Sequence, residues 1–393
     1  MPDPSVSPGN KPGILAGALP GLAALLVGIG LARFGYTPLL PALIERHWLD
    51  AGEAVYLGAT NLAGYLGGSL LAAWLAQRYP AAWLVRLAML AGAVSFVACA
   101  FPLGFWWFVP WRFLAGFIGS VLMVLAVPLS LANLPLESRG RGAGIVFTGV
   151  GIGVAASGTL VPVLAGQDLS VVWLGMAALA FALTMLVWRG WNHQGVAAPA
   201  TDAAADGGNG RVMTRAVWLL LAAYALDAFA FVPHTVFWVD YIARGLGRGL
   251  AEGGTFWVLY GVGALCGPIL AGLLAEKLGF HRALVVCYFV KSVGLLLPVF
   301  SEARPALVAS SLLVGALTPG ISAILSGRIA EMVGPARHRM VWGWMTTAFA
   351  VAQAGSAYSL GFLFTITHSY VLLYLIAGVS LIVGGGLVTV TRK

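Results

Sequence analysis

Apolar runs of membrane-crossing length recur twelve times along the chain, and that recurrence leaves few folds open. They cover residues 14–44, 53–76, 81–101, 105–133, 142–165, 170–190, 215–241, 253–275, 282–300, 305–331, 340–365 and 369–390. A helix needs about 20 apolar residues to cross the hydrocarbon core of a bilayer. The runs are continuous rather than alternating, which excludes a strand barrel. Only 9% of the 393 residues are charged and 60% are hydrophobic, whereas a soluble domain carries about 25% charged residues. The fold class that follows is an all-α membrane protein with twelve transmembrane helices.

The net charge of +8 sits in short loops between the runs. No basic stripe is interleaved with exposed aromatics, so nucleic acid is not an expected partner. Cys99, Cys266 and Cys287 lie inside apolar runs, without a CxxC spacing or a metal-ligand cluster. No cofactor motif, nucleophile–base constellation or ATP-binding loop appears, so neither an enzyme nor a primary pump is expected. The polar, Pro/Gly-rich start lacks the basic and small-residue features of a signal peptide.

An even number of spans puts both termini on one side. Arg78, Arg139, Arg141, Arg189, Lys277, Arg282, Arg337 and Arg339 fall on that side, against Arg46, Arg244, Arg248 and Arg304 on the other. The positive-inside rule makes the richer side cytoplasmic, as expected in a bacterial inner membrane. Residues 191–213, rich in Ala, Gly and Asp, read as a flexible cytoplasmic linker. The expected organisation is a tail (1–13), a six-helix bundle (14–190), the linker, and a second bundle (214–393).

The two bundles are copies. A shift of 199 residues lays GYLGG at 64–68 on GALCG at 263–267, and AAWLAQRY at 72–79 on AGLLAEKL at 271–278. A shift of 198 lays Arg139 and Arg141 on Arg337 and Arg339. Parallel six-helix repeats with a central site are a transporter architecture.

GLLAEKLGFHR at 272–282 resembles the loop signature G-x-L-x-D-R-x-G-R of the major facilitator superfamily, with Glu276 and Lys277 in the acid and base places. RFLAGFIG at 112–119 resembles its fourth-helix signature. GLARFGYTPLLP followed by NLAGYLGG is similar to the YbfB-like branch. The resemblance spans the chain. It implies two pseudo-symmetric bundles, rocker-switch alternating access, a monomer, and a proton-handling role for Arg112. The first copy of the loop signature is degenerate, with Gln77 in place of the acid. The resemblance therefore implies a single strong ionic lock, built from Glu276, Lys277 and Arg282 with Arg78, Arg139 and Arg141.

A charge inside a span costs at least about 2.5–3.5 kcal/mol and demands a reason. Arg33 lies in the outer half of the first span, followed by Pro38 and Pro41. It either faces a central cavity and binds an anionic group, or pairs with helix carbonyls or an acid such as Glu45. Arg112 either handles protons or snorkels to the interface. Asp227, near mid-depth in the seventh span, either carries a proton or pairs with Lys291 in the ninth. His234 lies at nearly the depth of Arg33 by the repeat, and a histidine can titrate near neutral pH. Its alternative is a neutral ring inside the packing. Tyr36, Tyr224, Tyr260 and Tyr358, with Asn61 and Gln353, fall on helices that line the cavity in this superfamily, and with Arg33 and His234 are the candidate substrate contacts. The expected function is proton-coupled secondary transport of a small organic solute, above all an organic anion. Efflux of lipophilic or cationic compounds and a non-transporting receptor are the alternatives. The expected partners are the solute, protons and the bilayer; no cofactor is expected.

Overall fold

The computed structural model describes residues 13–132, 134–191 and 213–391. Most of the expected tail and linker, with Lys11, Arg211, Arg392 and Lys393, lies outside the described residues. Twelve helical passes run in order: α1 Ile14–Glu45, α2 Ala51–Arg78, α3 Ala81–Cys99, α4 Phe105–Ala132, α5 Arg139–Ala165, α6 Leu169–Val187, α7 Arg215–Gly245, α8 Gly249–Leu278, α9 Phe280–Phe300, α10 Arg304–Gly334, α11 Met340–Thr367 and α12 Tyr370–Thr389. Eleven are long and apolar enough to cross a membrane. The exception, α2, has the length at 28 residues but is diluted by Gly, Thr and Asn along its interior. Gly334, at φ 75°, breaks the path between α10 and α11.

Local chemistry marks several helix starts. Asp50 accepts the Glu53 N–H at 2.7 Å and Glu53 accepts the Asp50 N–H at 3.1 Å, a capping box that opens α2. Asp168, Thr214 and Ser369 cap α6, α7 and α12 in the simpler one-sided way.

Packing repeats between the halves. α2 lies on α4 as α8 lies on α10, α3 on α6 as α9 on α12, and α1 on α5 as α7 on α11. The glycines of the repeat explain how. A Cβ at Gly116 would overlap the Asn61 carbonyl oxygen, and one at Gly315 would overlap that of Tyr260. A shift of 199 residues relates both pairs. Without side chains at these points the helix backbones touch, as close membrane packing requires. The halves meet through α5 on α8 and α2 on α11, two interfaces that the same shift exchanges. Large apolar side chains such as Leu70, Val163, Ile269 and Phe300 are exposed on the outer faces, the surface that lipid covers in a spanning protein.

Two helices are broken, and they are repeat partners. In α1 the stretch Leu26–Leu31 is π-helical and residues 32–35 form a turn. Ala32 and Phe34 donate to carbonyls five residues back, Val27 and Ile29. Pro38 has no N–H to continue the ladder, and Thr37 N–H serves the Phe34 carbonyl instead. In α7 the stretches Pro233–Phe237 and Tyr241–Gly245 are π-helical. Such local widenings cluster at functional sites.

Candidate functional site

The break in α1 sets the position of Arg33. Its guanidinium lies 4.7 Å from the Tyr65 ring centre, 5.0 Å from Phe34 and 5.5 Å from Phe231. Phe231 belongs to the second half, so the cage spans both halves. Arg33 makes no ion pair or hydrogen bond among the described residues. Its Nε is buried without a partner, while the residue as a whole keeps partial exposure. Glu45 does not engage it, nor does a helix carbonyl.

Arg112 comes from α4 to the same place and is only 1% exposed. One Nη donates to the Ala32 carbonyl at 3.1 Å, and the guanidinium lies 4.3 Å from the Tyr36 ring centre. Asn61 donates to the same carbonyl at 3.3 Å and to the Arg112 carbonyl at 3.1 Å. The turn in α1 is thus held by side chains of α2 and α4. Arg112 Nε and its second Nη are buried without partners. Full burial excludes the snorkelling alternative. Arg33, Arg112, Tyr36 and Asn61 line one small cavity. Burying an ion without a counter-charge costs several kcal/mol, and this cavity collects two.

The second half treats its charges differently. Lys291 Nζ lies 2.6 Å from Asp227 Oδ1, and both side chains are fully buried. The pair left open by the sequence therefore exists, and the Asp227 carboxylate is not free for a cationic ligand. Asp227 Oδ2 has no partner. The Phe231 ring, 5.5 Å from Arg33, is 5.9 Å from Lys291 Nζ. His234 is turned into the packing, where Nε2 meets Ser310 Oγ at 2.9 Å and the ring stacks on Trp238 at 4.3 Å. It does not line the cavity with Arg33. Tyr260 stacks on Trp257 at 4.8 Å, and Phe34 meets Trp257 edge-on at 6.1 Å. Tyr224 bonds Ser322 at 2.9 Å. Gln353 is buried with Nε2 unpartnered. Tyr358 is exposed and lies beside Tyr56 of the other half at 6.4 Å.

Cross-half contacts include Gly151 with Leu265 and Arg33 with Phe231 near the middle of their helices, and Gly52 with Thr365 at the end away from the termini. Between them, the Thr37 hydroxyl donates to the Thr235 carbonyl. These two threonines are repeat partners at a shift of 198, so the pseudo-twofold axis passes between them. At the termini end, Arg78, Arg139, Arg141, Glu276, Lys277 and Arg282 are exposed. None of them forms an ion pair among the described residues. Arg78 lies over Trp74 at 3.8 Å, and Arg139 donates to the Leu134 carbonyl at 3.3 Å. The sequence reading missed Tyr65, Thr37 and Thr235. The threonine pair was there to be found by the repeat shift; Tyr65 is marked only by standing next to Gly64 of the repeat.

The fold has solved counterparts. A bacterial homolog to the human lysosomal transporter Spinster, solved inward-facing and unoccupied, superposes with a TM-score of 0.71 at 13% identity, covering 98% of this chain and 99% of that one. A D-xylose–proton symporter superposes at 0.75 with 17% identity, covering 95% and 96%. Among curated proteins, no sequence matches. The family model described as uncharacterised MFS-type transporter YbfB matches residues 25–389. This chain belongs to that family of major facilitator transporters.

Proposed function

We propose that this secondary transporter carries a small organic anion, coupled to protons, by alternating access between its two halves. The observation that carries the reading is Arg33. It is a caged, partly exposed guanidinium at the junction of the halves, with no carboxylate on it among the described residues. A guanidinium offers a planar fork to a carboxylate, and a desolvated site rewards the anion that neutralises it. Tyr36 and Asn61 stand beside it; Phe231 and, through Phe34, Trp257 and Tyr260 add an apolar wall from the second half. Tyr224, Gln353 and Tyr358 are weaker contacts in this conformation.

Asp227 is the group we assign to proton coupling. It is buried, one of its oxygens is unpartnered, and its Lys291 and Arg33 lie 5.9 Å and 5.5 Å from the Phe231 ring centre. Arg112 is engaged on the Ala32 carbonyl and His234 on Ser310 in this conformation, which makes them second choices for that role. We place both termini in the cytoplasm of a bacterial inner membrane and treat the carrier as a monomer. The conformation is then open to the cytoplasm. The basic residues there, with Glu276, form the lock of the opposite state.

The test is thermal stabilisation of purified protein in detergent by mono- and dicarboxylates, amino acids, sugars and hydrophobic cations, at about pH 5.5 and 7.5. A carboxylate that stabilises the wild type and not Arg33→Ala is the expected result. Stabilisation by hydrophobic cations in both proteins overturns the anion reading.

A further inference from the structure

Arg33 explains a substrate; it does not explain Arg112. Arg112 is 1% exposed, sits behind the α1 turn, and has two buried nitrogens without partners. Arg33 adds a third, its Nε. All belong to residues lining the one small cavity, whose other walls include Tyr36, Asn61, Leu62 and Thr235. The available hydrogen bonds there are already taken. Tyr36 donates to the Ala54 carbonyl at 2.7 Å, Asn61 to two carbonyls, and Thr37 to the Thr235 carbonyl. No described carboxylate forms an ion pair with either arginine. The site therefore holds unspent cationic donors and, among the described residues, no negative charge to meet them.

We propose that this cavity holds a small inorganic anion of the size of chloride, gripped by Arg112 Nε and Nη and by Arg33 Nε. In this conformation the space, about 20 Å³, is too small for an organic solute; Tyr36 and Asn61 serve the solute only once it widens, and the ion site lies apart from the more exposed side of Arg33. One anion offsets much of the cost of two buried guanidiniums, because ionic interactions strengthen as the local dielectric falls. It also sits where both halves converge. Thr235 and Val236 of α7 line the cavity with Arg33 and Arg112 of the first half. The ion consequently favours the conformation closed at the end away from the termini. Repeat symmetry supports an unequal design. The position that matches Arg112 at a shift of 199 is Ser311, and those that match Arg33 are Val232 at 199 and Phe231 at the 198 that pairs the threonines, so the second half has no arginine at either place.

The experiment is thermal unfolding of the full chain in detergent, in sodium chloride or sodium bromide against sodium methanesulfonate at equal ionic strength; methanesulfonate is monovalent, larger than the cavity and not a carboxylate. Ligands that bind only the folded state raise its stability with concentration and saturate. A saturable rise in Tm of a few degrees with chloride and bromide, absent in methanesulfonate, is expected. Arg112→Gln should lose that dependence. Leu62→Glu, which brings a fixed carboxylate into the cavity, should also lose it and should be as stable in methanesulfonate as the wild type in chloride. This second variant decides the matter if Arg112→Gln does not fold. Identical Tm values for the wild type in chloride and methanesulfonate overturn the proposal and leave water as the occupant. Persistence of the halide effect in the variants overturns it as well. Neither result depends on carboxylate binding, so this site and the substrate reading fail separately.

Discussion

Removing either member of the Lys291–Asp227 pair should unbalance the second half. The Lys291 ammonium lies 2.6 Å from Asp227, neither side chain is exposed, and Oδ2 of the acid has no other partner. Stripping one member from a buried pair costs about 3–5 kcal/mol, because the survivor is a buried charge without compensation. Lys291→Met should lose that amount, and Asp227→Asn should lose a similar amount by stranding the ammonium. The double variant keeps the volume and carries neither charge. It should lie within about 1 kcal/mol of the wild type. The coupling between the two sites is then about 3 kcal/mol or more, far above the additivity expected of independent positions. Equilibrium unfolding of the four proteins in one detergent reads this directly. A double variant as damaged as the sum of its singles refutes the reasoning. The same set tests the proton assignment: the double variant should still exchange solute for solute but should no longer accumulate it against a gradient when driven by protons.

Three further outcomes follow from the geometry. Gly116→Ala and Gly315→Ala should each destabilise by more than about 1–3 kcal/mol, the usual cost of overpacking, since each methyl meets a backbone carbonyl; Gly343→Ala, which has open space around it, should be neutral or slightly stabilising in the same unfolding assay. Thr37→Val removes the hydrogen bond between the repeat-partner threonines and should increase alkylation of a cysteine placed at residue 56, near the far end. Glu276→Gln should leave this conformation's stability unchanged, because Glu276 makes no ion pair among the described residues, yet should lower the population of the opposite state; equal labelling of termini-side cysteines in both proteins would count against the lock.

The repeat was the most legible part of the architecture, and the reason is physical. Gly64, Gly68 and Gly116 match Gly263, Gly267 and Gly315 because only glycine lets those helices touch, so the spacing survives where other side chains have changed. Arg33 and Arg112 stood out because a charge is rare inside a span. Their surroundings were not legible. Whether Tyr65 or Phe231 faces Arg33 depends on the rotation of α2 and α7 about their axes, and the break in α1 shifts that rotation. The fate of His234 depended on Ser310, a hydroxyl 76 positions away with no signal of its own. Asp227 and Lys291 could be suspected as partners only because both are costly alone.

The unequal charging of the halves has an electrical consequence. The second half buries a neutral pair, whereas the first carries two lone guanidiniums deep in the dielectric. In the alternating-access cycle proposed above, those charges sweep through part of the membrane field, which acts with about 2.3 kcal/mol per elementary charge per 100 mV. The empty carrier is then expected to respond to voltage. Each anion that settles on an arginine removes a gating charge, so the membrane potential steers the return of the empty protein more strongly than the passage of the loaded one.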